Sequence, residues 1–451
     1  PRLGGRPAPI NGLSSDRAAA TISKYLAVRS PHGYLDLRLG IWRCTNLLTT
    51  QRILERFEPS YDVILWGLTM AVILGTNGPN TIAAATSSDV IFGLDGNDTL
   101  SSAFATAELH GGLGQDLLSV DFDYLVVNNG PYPTMRWSSS GDEGDDVITS
   151  NIHVAIGNYN YSTTDITVEL SADGGAGNDA IIFDTRIDGG FSSGSSYSGP
   201  TINNFVTDLL GDNIVEIYSR SVEDDTVPQI NTSVLLGNGN DQVVVSNETG
   251  ANNSNGMSTY DLDLGNGNNS LSVSDTTGTL IFSLISGAGN DVADLTFRSD
   301  GGNVSFFQGN VTADLGAGND ALSIAFYNSP SFPQYSNTNV DVDLGVGDDS
   351  LFLKDEFGGS HMVVAGSGND NLTILVGVGG SDPANNDVRI DLGDGDDFLN
   401  LDVMSGSTDV TAGAGNDAVS IMFAAYSYGT ETAHIDLGSG SNTLTLANFG
   451  G

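Results

Sequence analysis

Thirteen times between Gly93 and Leu444 the chain repeats one short phrase: glycine, any residue, glycine, a polar residue, then Asp or Asn. The phrases end at Asp98, Asp116, Asp146, Asp179, Asp241, Asn269, Asp291, Asp320, Asp349, Asp370, Asp397, Asp417 and Asn442. Leu94 and Asp142 stand in place of the first glycine in two weaker copies. Two residues beyond the phrase stands Leu, Ile or Val in every copy except that of Ala293. A glycine turn, a carboxylate and an inward aliphatic at constant offsets define one supersecondary unit used repeatedly, and that restricts the fold to a repeat architecture.

The spacing sets the size of the unit. From Asp241 onward the intervals are 28, 22, 29, 29, 21, 27, 20 and 25 residues. Earlier ones are 18, 30, 33 and 62, the last split by a degenerate copy at Gly211-Asp212-Asn213. Intervals of this length match one coil of a solenoid, in which stacked neighbours bury a core that no single coil can bury alone. Val340-Asp341-Val342-Asp343-Leu344 alternates before a turn, and Leu351-Phe352-Leu353 resumes after it, so each coil is read as strand, turn, strand. Successive coils advance in one direction, which makes the strands parallel. Long intervals are expected to hold a third strand or an excursion, such as Ser329-Pro330-Ser331-Phe332-Pro333; short ones hold two strands. The fold class expected is all-β, a parallel β-helix or β-roll-like solenoid.

Charge divides the chain. Residues 1–69 hold nine basic and five acidic residues, a net +4, whereas residues 70–451 hold six basic and 51 acidic residues, a net −45. A body of that charge repels nucleic acid and anionic membranes and attracts cations. The apolar run Val63 to Leu74 is too short for a membrane span. Residues 1–69 are expected to be a leader or an upstream non-native segment, poorly structured or with short helices at Ser15–Arg29 and Leu47–Phe57. The body, residues 70–451, contains no cysteine, Cys44 being the only one in the chain. No disulfide can staple the body, and bound metal can serve instead.

The repeated turn suits such a metal. Glycines admit positive φ and leave backbone carbonyls unscreened, while the terminal Asp adds a hard anionic oxygen. Calcium takes about 6–8 such oxygens, so two stacked turns would share each ion. The expected ligands are Asp98, Asp116, Asp146, Asp179, Asp241, Asp291, Asp320, Asp349, Asp370, Asp397 and Asp417. With them go the second turn glycines Gly96, Gly114, Gly177, Gly239, Gly289, Gly318, Gly347, Gly368, Gly395 and Gly415. Asn269 and Asn442 mark weaker or empty sites. Asp263, Asp314, Asp343, Asp391 and Asp436, just before the turns, are read first as a solvated strand face and second as supplementary ligands. The alternative for the whole motif is a metal-free Gly/Asn turn ladder.

Gly111-Gly112-Leu113-Gly114-Gln115-Asp116-Leu117-Leu118, Gly174-Gly175-Ala176-Gly177-Asn178-Asp179-Ala180-Ile181 and the near copy Gly93-Leu94-Asp95-Gly96-Asn97-Asp98-Thr99-Leu100 resemble the calcium-binding nonapeptide of RTX, or haemolysin-type, repeat proteins. The resemblance implies a right-handed parallel β-roll or β-helix, calcium-dependent folding, and type I secretion to the outside or surface of a Gram-negative bacterium. The chain departs from the family in spacing, since only Asp98 and Asp116 lie eighteen residues apart. The nonapeptide's first glycine is also mostly replaced, by Leu236, Leu264, Leu315, Leu344, Leu392, Leu437, Ser286, Ala365 or Ala412. One calcium ladder along one edge of a wider helix is expected, in place of a two-sided roll.

Catalysis finds little purchase. The histidines His32, His110, His153, His361 and His434 are scattered singly, and Gly190-Phe191-Ser192-Ser193-Gly194 has the letters of a nucleophile elbow without a helix to follow it. Six basic residues in the body leave little to neutralise an anionic sugar, which makes a polysaccharide lyase or epimerase the minority reading. The expected function is a secreted calcium-binding structural, surface-layer, matrix or adhesive rod, with end-to-end homo-assembly and a surface glycan as candidate partners. The alternative is a carbohydrate-binding or polysaccharide-modifying β-helix, with Phe332, Tyr335, Tyr426 and Tyr428 as candidate sugar platforms. An ice-binding face is disfavoured because no Thr stands between the turn glycines.

Overall fold

The computed structural model describes residues 26–30, 33–35, 63–65, 71–126, 134–159, 166–191, 197–224, 226–249, 256–299, 307–327, 336–377, 386–404, 406–424 and 432–449. Two compact units divide the chain, residues 1–71 and 72–451. In the first, Leu26–Ser30 pairs antiparallel with Gly33–Leu35 and with Val63–Leu65. The helix expected at Ser15–Arg29 is therefore a strand where it is described. Pro31 follows directly, and the residue before a proline is pushed from helical to extended backbone. The second expected helix, Leu47–Phe57, lies outside the described residues.

The second unit is a two-sheet parallel solenoid. Each sheet has 15 strands, and each coil contributes one strand to each, so that strands before the motif turn form one sheet and strands after it the other. Neighbouring coils pair parallel and in register; Ser350–Asp355, for example, aligns residue for residue with Asn371–Val376. No helix occurs among the described residues, and none is long and apolar enough to cross a membrane.

The third strand expected of long coils does not form among the described residues. In some coils the extra length goes into the two existing strands: Val147–Tyr159 and Tyr197–Leu210 have 13 and 14 residues, against 6 in Phe398–Val403 and Gly406–Thr411. In others, as between Asn371–Val376 and Asn386–Asp391, the strands keep 6 residues and the extra length falls outside the described residues. A longer strand extends a ladder that its neighbours already provide. A third strand would need its own partners in the coils above and below. Residues 329–333, the candidate excursion, lie outside the described residues.

Alternation puts one face of each strand inside. The aliphatic two places beyond the motif Asp forms a buried column that includes Leu100, Leu118, Ile148, Ile181, Val215, Val243 and Leu271. Within the core, Tyr260, Phe282, Phe297, Phe326, Phe307 and Phe357 form a run of ring contacts with centroids 4.8–6.1 Å apart. Each fully buried large side chain stabilises the stack by about 1.5–3 kcal/mol.

Candidate metal centre along the turn column

Each motif turn links the two sheets, and its backbone pairs with the turns above and below. In the turn of Asp349, the N–H groups of Leu344, Val346, Gly347 and Ser350 donate to the carbonyls of Val364, Gly316, Ser367 and Asp320. The second glycines make this stacking possible. A Cβ built on them would fall 1.4–2.6 Å from backbone atoms of the preceding turn, 1.4 Å from the Gly114 carbonyl oxygen in the case of Gly144. Most glycines at the first position have positive φ, and Leu94 and Asp142 adopt it there too, at 81° and 75°. The fold imposes the turn on these two residues despite their side chains.

Two side-chain ladders complete the hydrogen bonding. In the inner one the N–H of each terminal residue donates to Oδ1 of the terminal Asp or Asn in the next coil. It runs unbroken from Asn80 through Asp98, Asp116, Asp146, Asp179, Asn213, Asp241, Asn269, Asp291, Asp320, Asp349, Asp370, Asp397 and Asp417 to Asn442, over 2.6–3.1 Å. The outer ladder uses the residue just before. There the N–H donates to Oδ1 of the preceding coil, as from Asn240 to Asp212, Asn268 to Asn240, Asn319 to Asn290 and Asp396 to Asn369, over 2.8–2.9 Å. The two ladders therefore point in opposite directions along the solenoid. Asn213 and Asn80 sit on the inner ladder although neither ends one of the thirteen full phrases. The signal for Asn80 was present in Gly78 two places before it and Ile82 two places after.

The inner carboxylates are 1–2% exposed, yet the second oxygen of nearly all of them has no partner. Oδ2 is unsatisfied in Asp98, Asp116, Asp146, Asp179, Asp241, Asp320, Asp349, Asp370, Asp397 and Asp417. Asp291 is the exception, because the Ser286 hydroxyl donates to its Oδ2. Three of the four Asn members show what surrounds this second atom, while Asn213 leaves its buried Nδ2 without a partner. Asn80 Nδ2 donates to the carbonyls of Thr76 and Gly78, Asn269 Nδ2 to that of Gly267 and Asn442 Nδ2 to that of Leu437. The pocket is lined by carbonyl oxygens. An ionised Asp thus offers an acceptor to a site that offers only acceptors, while the turn's N–H groups are already committed. A buried charge left in that state is costly.

Titration reflects the same conflict. Burial, with the neighbouring carboxylates adding to it, pushes Asp146 and Asp370 up to about 7 and Asp320 and Asp397 up to about 6. Burial likewise raises Asp116, Asp179, Asp241 and Asp349. Either a proton or a cation must occupy the space between carboxylate and carbonyls. The donor set, anionic and carbonyl oxygens without nitrogen or sulfur, fits calcium. The carboxylates are strung one per coil, and no group of three or more His, Cys, Asp or Glu side chains gathers around one point among the described residues. Backbone carbonyls would have to supply most of any coordination shell.

The remaining candidates fall elsewhere. Asp314, Asp343, Asp391 and Asp436 are exposed on the sheet before the turn, and Asp263 is half-buried there. Asp263 and Asp436 accept from the first turn glycines, Gly265 at 3.1 Å and Gly438 at 3.0 Å. His110 stacks on Phe92, His153 lies between Asp123 and Asp188, and His361 is buried against Asp355 at 2.9 Å. Burial would raise Asp355, but the His361 contact holds it below the usual carboxylate range. The basic side chains of the body are engaged: Arg136, Arg186, Arg220, Lys354 and Arg389 with carboxylates, and Arg298 over the Tyr327 ring. His32, Ser192–Gly194 and the aromatics Phe332, Tyr335, Tyr426 and Tyr428 lie outside the described residues. No protein-family model, curated protein or solved structure matches the chain.

Proposed function

We propose that residues 72–451 form a calcium-stabilised repeat rod, of the kind its resemblance to haemolysin-type repeats implies. One observation carries this reading: the buried column of unpartnered Asp Oδ2 atoms facing backbone carbonyls. The ions would be held by the inner Asp column and the carbonyls of the glycine turns. Bound calcium would supply positive charge between acceptors, and stacking of the coils would then be coupled to metal loading. The rod serves outside the cell or at its surface, in a surface layer, a matrix or an adhesive role. The same reading includes end-to-end stacking of copies, since parallel coils can continue from one copy to the next by strand pairing. Binding or modification of an anionic polysaccharide has less support, since the body's basic side chains are already engaged.

Isothermal titration with calcium, paired with light scattering in calcium and in EGTA, tests the proposal. Binding of several ions per chain with a rise in particle mass is the expected outcome. Absence of calcium binding refutes the metal, and constant mass refutes the assembly.

A further inference from the structure

One coil departs from its neighbours at two linked positions. Asn213 replaces the terminal Asp, and an acid, Asp208, takes the place just before the turn that is Gly174 in the preceding coil and Leu236 in the next. Asp208 is fully buried, and neither of its carboxylate oxygens has a hydrogen-bond partner. Side chains at this position reach the terminal carboxylate, as Ser286 does when it donates to Asp291. Asp208 brings an acceptor where Ser286 brings a donor.

Register sets Asp208 beside Gly174, and the preceding coil's Asp179 turns toward the same place. A Cβ on Gly174 would stand 2.0 Å from Asp208 Oδ2 and 2.9 Å from Asp179 Oδ2. Two buried carboxylates from successive coils thus converge on a space that only glycine leaves open. Two carboxylates whose facing oxygens lack donors cannot share such a space unless a proton or a cation lies between them. The coils of Asn80, Asn269 and Asn442 supply no inner carboxylate, whereas the Asn213 coil supplies Asp208, which faces Asp179 across a single step of the stack.

We propose that Asp179 and Asp208 hold one dedicated divalent cation, calcium by their all-oxygen donor chemistry, bound more tightly than ions elsewhere on the column. Two carboxylates balance its charge, and the turn carbonyls complete the shell. The inference rests on the calcium reading of the column and deepens it at one coil. Asp208 restores the carboxylate that Asn213 removes, from a different place in the turn.

The test compares the wild-type chain with D208N, D208L, G174A and, as a ladder control, D320N. Each is loaded with calcium, dialysed against metal-free buffer, and its retained calcium counted by mass spectrometry. Wild type and D320N are expected to retain one ion that D208N, D208L and G174A lose. In EGTA D208L should melt higher than wild type, because it removes a buried unpaired acid, and in calcium it should melt lower. Leucine at this place is compatible with the fold, as Leu236 shows, so D208L decides the question if D208N does not fold. An unchanged ion count in D208N and D208L overturns the inference whether or not the rest of the column binds calcium. Loss of the chain's only calcium in D208L, with D320N unaffected, would uphold this site and overturn the column. Wild type that retains and binds no calcium overturns both.

Discussion

The inner and outer ladders make the same bond, a backbone N–H to Oδ1 one coil away, but they choose their residues in opposite ways. The exposed outer ladder is mostly Asn, with Asp at Asp145, Asp212, Asp348 and Asp396. The buried inner ladder has eleven Asp and four Asn. Hydrogen bonding alone cannot account for this, because Asn213 and Asn269 accept the inner bond at 3.0 and 2.9 Å as neighbouring Asp residues do. Burial by itself favours the neutral amide. The charged residue nevertheless dominates where charge costs most, and it leaves an oxygen without a donor. The difference teaches that hydrogen bonding accounts for the outer column, while the inner one calls for a proton or, on the proposed reading, a cation beside each carboxylate.

The largest expected effect comes from removing that charge. Chelation with EGTA at neutral pH should lower the melting temperature by more than about 20 °C, followed by circular dichroism. Each site saturated at about a hundred times its Kd contributes about 2.7 kcal/mol, and there are many sites. Equal melting in EGTA and in millimolar calcium would erase the distinction between the ladders.

Next in size is the pH dependence of the metal-free protein. The inner carboxylates have folded pKa values raised to about 7 at Asp146 and Asp370 and about 6 at Asp320 and Asp397, above the unfolded value of about 3.9. The folded state therefore binds the proton more tightly. Stability is full below pH ~4 and is lost as pH rises through about 6 to 7. Calcium should abolish this loss by replacing the proton. Chemical denaturation across pH 4 to 8, with and without calcium, checks both signs; stability that rises with pH in EGTA would contradict the raised pKa values.

Single substitutions sharpen the contrast. D320N should lower stability in calcium by about 1–3 kcal/mol and raise it in EGTA, an inversion that a hydrogen-bonding role cannot produce. The outer D348N should change stability by less than about 0.5 kcal/mol in either medium, because Asn already fills most of that ladder. A D348N effect as large as that of D320N would show that the ladders share one role.

Much of this was legible in the sequence for physical reasons. Positive φ and close stacking require glycine, so Gly144 or Gly347 could be read as a turn from composition alone. The inward aliphatics, such as Leu351 and Leu372, follow the two-residue period of a strand. Less legible was the course of the extra residues in long coils, since lengthening Val147–Tyr159 and forming a third strand have the same periodicity. The Asp16-Arg17-Ala18-Ala19-Ala20 run favours a helix over Ser15–Arg29, whereas the strand at Leu26–Ser30 depends on partners beyond Pro31 and at Val63–Leu65. The inward turn of the carboxylates was also hidden. Nothing in a Gly-x-Gly-Asn-Asp phrase says which of its last two residues faces the interior, or that the other forms a ladder of its own.

The sequence by itself determined that the chain is a solenoid, where most of its turns lie, and that its body is strongly acidic, because these follow from local backbone preference, periodicity and net charge. Only the tertiary structure decided which oxygens lack donors and which carboxylates meet. Asp208 and Asp179 come together because Gly174 and Asp208 occupy the same step of adjacent coils. That adjacency depends on how stacking absorbs intervals of unequal length, and no local phrase encodes it.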